Sequence, residues 1–299
     1  MAKTINGYKR KWGDRRDGRR VEMTGMQTIM GHLYPHRTDA EVYLHDSIDI
    51  TELLEFVKEK NEQHPDYRTT LFHCVVMAVA KMIKERPLMN RFVSGRRTYE
   101  RFGISVAFVA KLAFDDHAEE ALLFFEPTDA DTVDSVSRMI VERVKKVRAK
   151  GTQQKGGVDQ LLDTFAKVPR PILMAVVKIV KWLDFWGKNP KAITEGDPHY
   201  ASAFLSNLGS IKCPAVYHHL NNYGTNGMMI TIGTIRDEEK LMPDGTKQVR
   251  KMVDIGATLD ERIGDGFYFA RSLKLVHHIC GHPKILDKPL GEPSGFDYQ

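Results

Sequence analysis

The segment Leu259–Ile279, "LDERIGDGFYFARSLKLVHHI", places Asp260, Glu261, Arg262 and Asp265 within six positions, directly after the strand-like run "KMVDIGATL". Carboxylates beside a guanidinium at a strand-to-helix junction can accept and return protons, provided that burial or a neighbouring charge tunes them. The same residues also open a helix. Asp265, then Gly266 and apolar Phe267, Phe269, Ala270, Leu273, Leu275, Val276 and Ile279, read as an N-cap followed by an amphipathic face. A second candidate base is the pair His218–His219 in "VYHHLNNYG", although adjacent histidines beside a strand are more commonly surface or structural. Cys280 stands among His277, His278 and His282, but on one helix those spacings do not close a tetrahedral ligand set, so no metal is expected.

The elements that must position these residues alternate along the chain. "AEVYLHDSIDI" reads as a strand leading into the helix "DITELLEFVKEKNEQ", with Asp49 as cap and Glu52 returning the bond. "TTLFHCVVMAVAKMIKERP" is apolar on nearly every side, a buried helix ended by Pro87. "RFGISVAFVAK" and "EALLFFEP" are strand candidates, and "DADTVDSVSRMIVERVKKVRAKG" is a surface helix closed by Gly151. After a linker-like "TQQKGG", "VPRPILMAVVKIVKWLDFWG" forms a dense apolar helix whose polar stripe is Lys178, Lys181 and Asp184. It is too short and too charged to span a bilayer. The main reading is a largely buried helix packed on the domain's own surface near the site entrance; an interfacial membrane helix and a lid or partner-binding helix remain alternatives. "HYASAFLSNLGS", "GMMITIGTIR" and "RKMVDIGATL" read as strands, the last two joined at Pro243-Asp244-Gly245. Helices mixed with alternating strands imply an α/β fold.

Composition bounds the rest. A chain of 299 residues, 42% hydrophobic, can bury a sizeable core. Its formal charge of +5 comes largely from Lys3, Lys9, Arg10, Lys11, Arg15, Arg16, Arg19 and Arg20. Residues 1–22 therefore read as a basic, solvated or docking arm, and with no RNA-binding motif no nucleic acid partner is expected. Three scattered cysteines and the lack of an apolar leader fit a reducing, cytoplasmic setting.

Four stretches, in order, carry a resemblance: "RRVEMTGMQTIM", "YPHRTDAEVYLHDSIDIT", "SNLGS" with the later "TIG", and "LDERIGDG". Together they resemble the catalytic acyltransferase core of the 2-oxo-acid dehydrogenase complexes, itself similar to chloramphenicol acetyltransferase. The resemblance implies a chloramphenicol acetyltransferase-like sandwich of mixed sheet and helices, in one domain over 23–299 with a helical insertion at about 155–199. It implies CoA or acyl-CoA as substrate, a small thiol or alcohol as acceptor, and a homotrimer with active sites between subunits. Ser206 falls at the family's oxyanion-donating hydroxyl and Asp265 at its structural aspartate. Where the family has its catalytic histidine this chain has Glu261, followed by Arg262.

The substitution has a cost. An unperturbed Glu near pKa 4.3 lies about 4 units below a thiol near 8.5, and His near 6.5 only about 2, so Glu starts roughly 3 kcal/mol worse as a base. Burial could raise it, and Arg262 could hold it ionised. Two readings follow: a CoA-dependent acyltransferase with Glu261 as base, or a non-catalytic trimeric scaffold or ligand-binding relative. No lipoyl domain, subunit-binding domain or swinging linker is expected, and the polar ending "LDKPLGEPSGFDYQ" does not suit contacts of a large cubic cage. Membrane association is not expected either.

Overall fold

A computed structural model describes residues 4–5, 8–9, 14–111, 120–150 and 168–298. The strands are β1 (Thr4–Ile5), β2 (Tyr8–Lys9), β3 (Gly18–Arg20), β4 (Glu41–Asp49), β5 (Arg91–Ser94), β6 (Arg97–Arg101), β7 (Val106–Lys111), β8 (Glu120–Phe125), β9 (Ala203–Asn207), β10 (Met228–Leu241) and β11 (Lys247–Asp260). The helices are α1 (Gly25–Leu33), α2 (Thr51–Gln63), α3 (Leu71–Glu85), α4 (Val133–Lys150), α5 (Arg170–Phe185), the single turn α6 (Lys191–Thr194) and α7 (Gly266–Gly281).

A six-stranded mixed sheet runs in the order β4-β11-β10-β9-β7-β8, with parallel pairing only where β9 meets β10 and β7. A three-stranded sheet, β3-β6-β5, lies apart, and β1 pairs with β2. The main core forms where α2, α3, α4 and α7 cover the large sheet. α3 is the central helix because its sequence offers no wet face, and eleven consecutive residues from His73 to Ile83 are buried. Lys81 within it is tolerated because its ammonium donates to the carbonyls of Pro289 (2.9 Å) and Glu292 (3.3 Å).

Two features carry the chain to the site. Beyond the predicted turn, where Gly245 takes φ +83°, β10 and β11 form a long hairpin that delivers Asp260 to one end of the sheet. On the sheet's bare side, residues 213–217 cross so closely that side chains at Gly233 or Gly256 would collide with the backbone of Ala215 or Val216. That crossing returns the chain from Ser206 toward the Asp260 end.

Several expectations need correction. The anticipated strand "HYASAFLSNLGS" is extended only over Ala203–Asn207. Asp49 and Glu52 do not form a capping box: Ile50 is the N-cap, Asp49 accepts from the Thr51 amide (3.1 Å) and hydroxyl (2.8 Å) through Oδ1 and from Arg250 on β11 (2.8 Å) through Oδ2, and Glu52 turns to Arg250 as well (2.5 Å) instead of returning a bond to the cap. The basic arm is not separate from the domain beyond Asp14. Gly18–Arg20 pairs with β6, and Arg15 is buried, held by Asp17 (2.8 and 2.9 Å) and Ser94 (2.9 Å). The helix expected to be buried, α5, is exposed along its apolar face, with Ile172, Met174, Ile179, Trp182 and Trp186 each about half or more accessible. Its supposed wet edge is reversed at Asp184, which is buried because Tyr200 and Arg15 offer it partners. The linker "TQQKGG" and the closing Gly151 lie outside the described residues.

Candidate functional site

At the end of β11 the chain makes one 3-10 turn, Glu261–Ile263, and re-enters α7. Ile263 is buried and pins the turn, and Gly264 lies against the Phe269 ring, where a side chain would be crowded. Asp265 is the exposed N-cap of α7 and accepts from the Tyr268 amide at 2.8 Å, as the sequence indicates.

Asp260 is fully buried. Arg262 clasps it through both guanidinium arms (Nε to Oδ1 2.7 Å, Nη2 to Oδ2 2.6 Å) and donates from Nη1 to the Tyr34 carbonyl at 2.9 Å. Arg37 approaches from the other side, its Nε 3.6 Å from Oδ2, and spends its remaining donors on the carbonyls of Asn221, Val93 and Gly224. Burial pulls the Arg37 pKa down while Asp260 opposes that pull. Arg37 stands in the quoted stretch "YPHRTDAEVY", but no local pattern marks it as the partner of a residue 223 positions later.

Glu261 takes no part in this triad: it is exposed, and among the described residues its side chain makes no hydrogen bond. Ser206 is half-buried on β9, in register with Thr231, whose own partner on β11 is Gly256. The Asp260 amide bonds to Gly227, four residues from Thr231, so Ser206 and the Asp260 end lie about 13 Å apart along the strands. One chain alone does not bring Ser206 and Glu261 together. The "SNLG" turn itself is seated on "TIG", since a Cβ on Gly209 would lie 2.3 Å from the Gly233 carbonyl oxygen.

His218 and His219 are exposed and stacked at 4.7 Å. The Leu220 amide donates to Glu41 at 2.5 Å, and Glu41 pairs with Asp260 across β4 and β11, so the histidine pair borders the same end of the sheet. Cys280 is buried, which pushes its thiol up to about 12, while His277 bonds to Asp46 at 2.6 Å. Among the described residues no group of three or more His, Cys, Asp and Glu is placed to hold a metal ion.

Beside the triad opens a cleft of about 640 Å³, lined by Arg20, Glu22, Gln27, Arg96, Arg97 and Arg262 among others. Arg96 and Arg97 arrive on the β5–β6 hairpin, whose two loop residues Gly95 and Arg96 both take left-handed backbone (φ +57° and +60°), the conformation that a tight two-residue loop needs. Gln27 is set by the capping box of α1, where Thr24 and Gln27 bond reciprocally. This clustering of cations from three sequence regions was not legible beforehand. A second cavity, about 60 Å³ and lined by core residues such as Val79, Met228 and Phe269, belongs to the hydrophobic interior.

Residues 15–111 match the family model for the 2-oxoacid dehydrogenases acyltransferase (catalytic domain). No curated protein matches the chain in sequence. Among solved structures, the probable dihydrolipoamide acetyltransferase of Listeria monocytogenes 4b F2365 superposes with TM-score 0.58 at 17% identity, over 88% of this chain and 94% of that one. The dihydrolipoamide acetyltransferase of Azotobacter vinelandii, whose catalytic mechanism has been probed through a serine, a histidine and an asparagine, gives 0.59 at 17% identity, over 90% and 93%. Chloramphenicol acetyltransferase gives 0.52 at 12%, over 87% and 98%. The chain thus has the mixed α/β fold shared by chloramphenicol acetyltransferase and the dihydrolipoamide acetyltransferase cores, and from residue 15 to 111 it carries the sequence pattern of the 2-oxoacid dehydrogenase acyltransferase catalytic domain.

Proposed function

We propose that this chain is a CoA-dependent acyltransferase, working as a homotrimer in the cytoplasm, that moves an acyl group from a thioester to a small thiol or alcohol. The observation that carries the reading is the cleft where Arg20, Arg96, Arg97 and Arg262 converge beside the Glu261 turn. CoA carries its negative charge on phosphates, which guanidinium groups bind by paired, charge-assisted hydrogen bonds. Arg262 is held in place by Asp260 and lines that cleft, so the bound donor lies next to the turn.

Glu261, with no intrachain partner among the described residues, takes the acceptor's proton as the acceptor attacks the thioester carbonyl. The tetrahedral oxyanion accepts a hydrogen bond from Ser206 of the neighbouring subunit, a contribution of roughly 3 to 4 kcal/mol. Collapse expels the CoA thiolate, which recovers the proton from Glu261. The separation of Ser206 from the Asp260 end within one chain supports a site shared between subunits.

Turnover of acyl-CoA with thiol and alcohol acceptors tests the assignment. Glu261→Gln keeps the shape and removes the proton acceptor, so turnover falls at least about 100-fold. Light scattering gives a particle of three 34.1 kDa chains. If Glu261→His gains transfer that the parent lacks while Glu261→Gln changes nothing, the chain is a non-catalytic trimeric scaffold or ligand-binding relative. A monomer at micromolar concentration removes the shared site.

A further inference from the structure

We infer that α5 is an interfacial docking helix that seats this protein on the surface of a bilayer carrying anionic headgroups. Ile172, Met174, Ile179, Trp182, Phe185 and Trp186 are 43–61% accessible although all six are large and apolar. About half of each of the three rings, at roughly 150–250 Å² a ring, exposes on the order of 300 Å² from the aromatics alone. That is already the size at which an apolar patch marks an interaction surface.

Charge selects the occupant. Every exposed charged side chain from Val168 to Lys191 is cationic: Arg170, Lys178, Lys181, Lys188 and Lys191, the last paired with Glu195. The one acid, Asp184, is buried and occupied, accepting from the Tyr200 hydroxyl (2.6 Å) and the Gly224 amide (3.2 Å). A two-fold contact with a second copy would bring this cationic stripe against itself, whereas an anionic surface neutralises it. Tryptophans grouped at one end, lysines interleaved and a large apolar face form the pattern of a helix lying in the headgroup plane. Spanning is excluded by length: sixteen residues reach about 24 Å, and no described helix is long and apolar enough to cross a membrane.

The helix is also built as a rigid attachment. Its C-terminal turn is bolted to the domain, with the Asp184 carbonyl accepting from Arg15 and Ser94 (both 3.3 Å), and the Phe185 carbonyl packed on Gly95 so tightly that a Cβ there would lie 2.4 Å away. Docking would therefore orient the hairpin that bears Arg96 and Arg97, not merely tether the chain. This replaces the expectation of a helix covered by its own domain, and it rests on no assumption about acyl transfer.

Flotation of the full chain with phosphatidylcholine vesicles, with and without phosphatidylglycerol, tests it without reading activity. The wild-type protein is expected to float with the anionic vesicles and much less with the neutral ones, and brominated lipids are expected to quench most of its tryptophan emission, since two of its three tryptophans are Trp182 and Trp186. Trp182→Ser with Trp186→Ser should abolish flotation at unchanged melting temperature. Lys178→Gln with Lys181→Gln should weaken partitioning about 25-fold, roughly fivefold per charge. The inference fails if the wild type does not float, if both double variants float like the parent, or if the tryptophan variant instead dissolves an oligomer formed without lipid.

Discussion

Asp260 is the residue on which the geometry makes its strongest demand. Its carboxylate is fully buried between Arg262 and Arg37, whose side chains are only 5% and 4% accessible. Replacing it with alanine leaves two guanidinium groups in the interior without a counter-charge, and breaking a buried pair in this way costs about 3–5 kcal/mol. Unfolding entropy of about 2.1 cal/mol/K per residue over 299 residues is roughly 0.63 kcal/mol/K, so the melting temperature should fall by about 5–8 °C. Thermal denaturation followed by circular dichroism measures this directly. Because Asp260 also holds Arg262 at the cleft, the variant should bind CoA more weakly, as seen by calorimetry. The decisive comparison is Asp260→Leu with Arg37→Met, which removes one of the two stranded guanidinium groups together with the carboxylate and should recover part of the loss. A melting temperature within a degree of wild type for Asp260→Ala, or a double variant worse than the two losses added, would refute the view that charge compensation holds this turn.

Two further outcomes follow from single residues. Asp265→Ala removes the cap on the Tyr268 amide and should cost about 1 kcal/mol, under 2 °C by the same entropy, in the calorimeter; no change would mean that solvent caps α7 equally well. His73 is buried in α3, and burial pulls its pKa down from 6.5 to about 4. The unfolded chain then binds a proton that the folded chain refuses, so this contribution is complete above pH 6.5 and is lost as pH falls toward 4, up to about 3 kcal/mol. Urea denaturation across that window should show a shallower pH slope for His73→Leu than for wild type, and parallel profiles would contradict the assignment.

What the sequence determined by itself was local. The all-round apolar run around Met77 had to be a buried helix, the Pro243-Asp244-Gly245 turn had to reverse a strand, and Asp265 ahead of Gly266 had to start a helix, because each signal is complete within a few residues. The seating of "SNLG" on "TIG" has a backbone cause as well: a Cβ on Gly209 would meet the Gly233 carbonyl, and one on Gly233 would meet the backbone of Ala215 in the crossing segment, so each place requires glycine. Tertiary structure alone decided which charges meet. Arg37 reaches Asp260, Arg15 reaches Asp184, and Arg20, Arg96 and Arg97 gather around Arg262 only once strand register and chain reversals bring distant segments to one end of the sheet. It also decided the fate of α5 and of the Ser206–Glu261 pair. Periodicity shows that a helix has an apolar face but not what covers it, and the motifs name two site residues without recording that the register sets them about four residues apart along the strands.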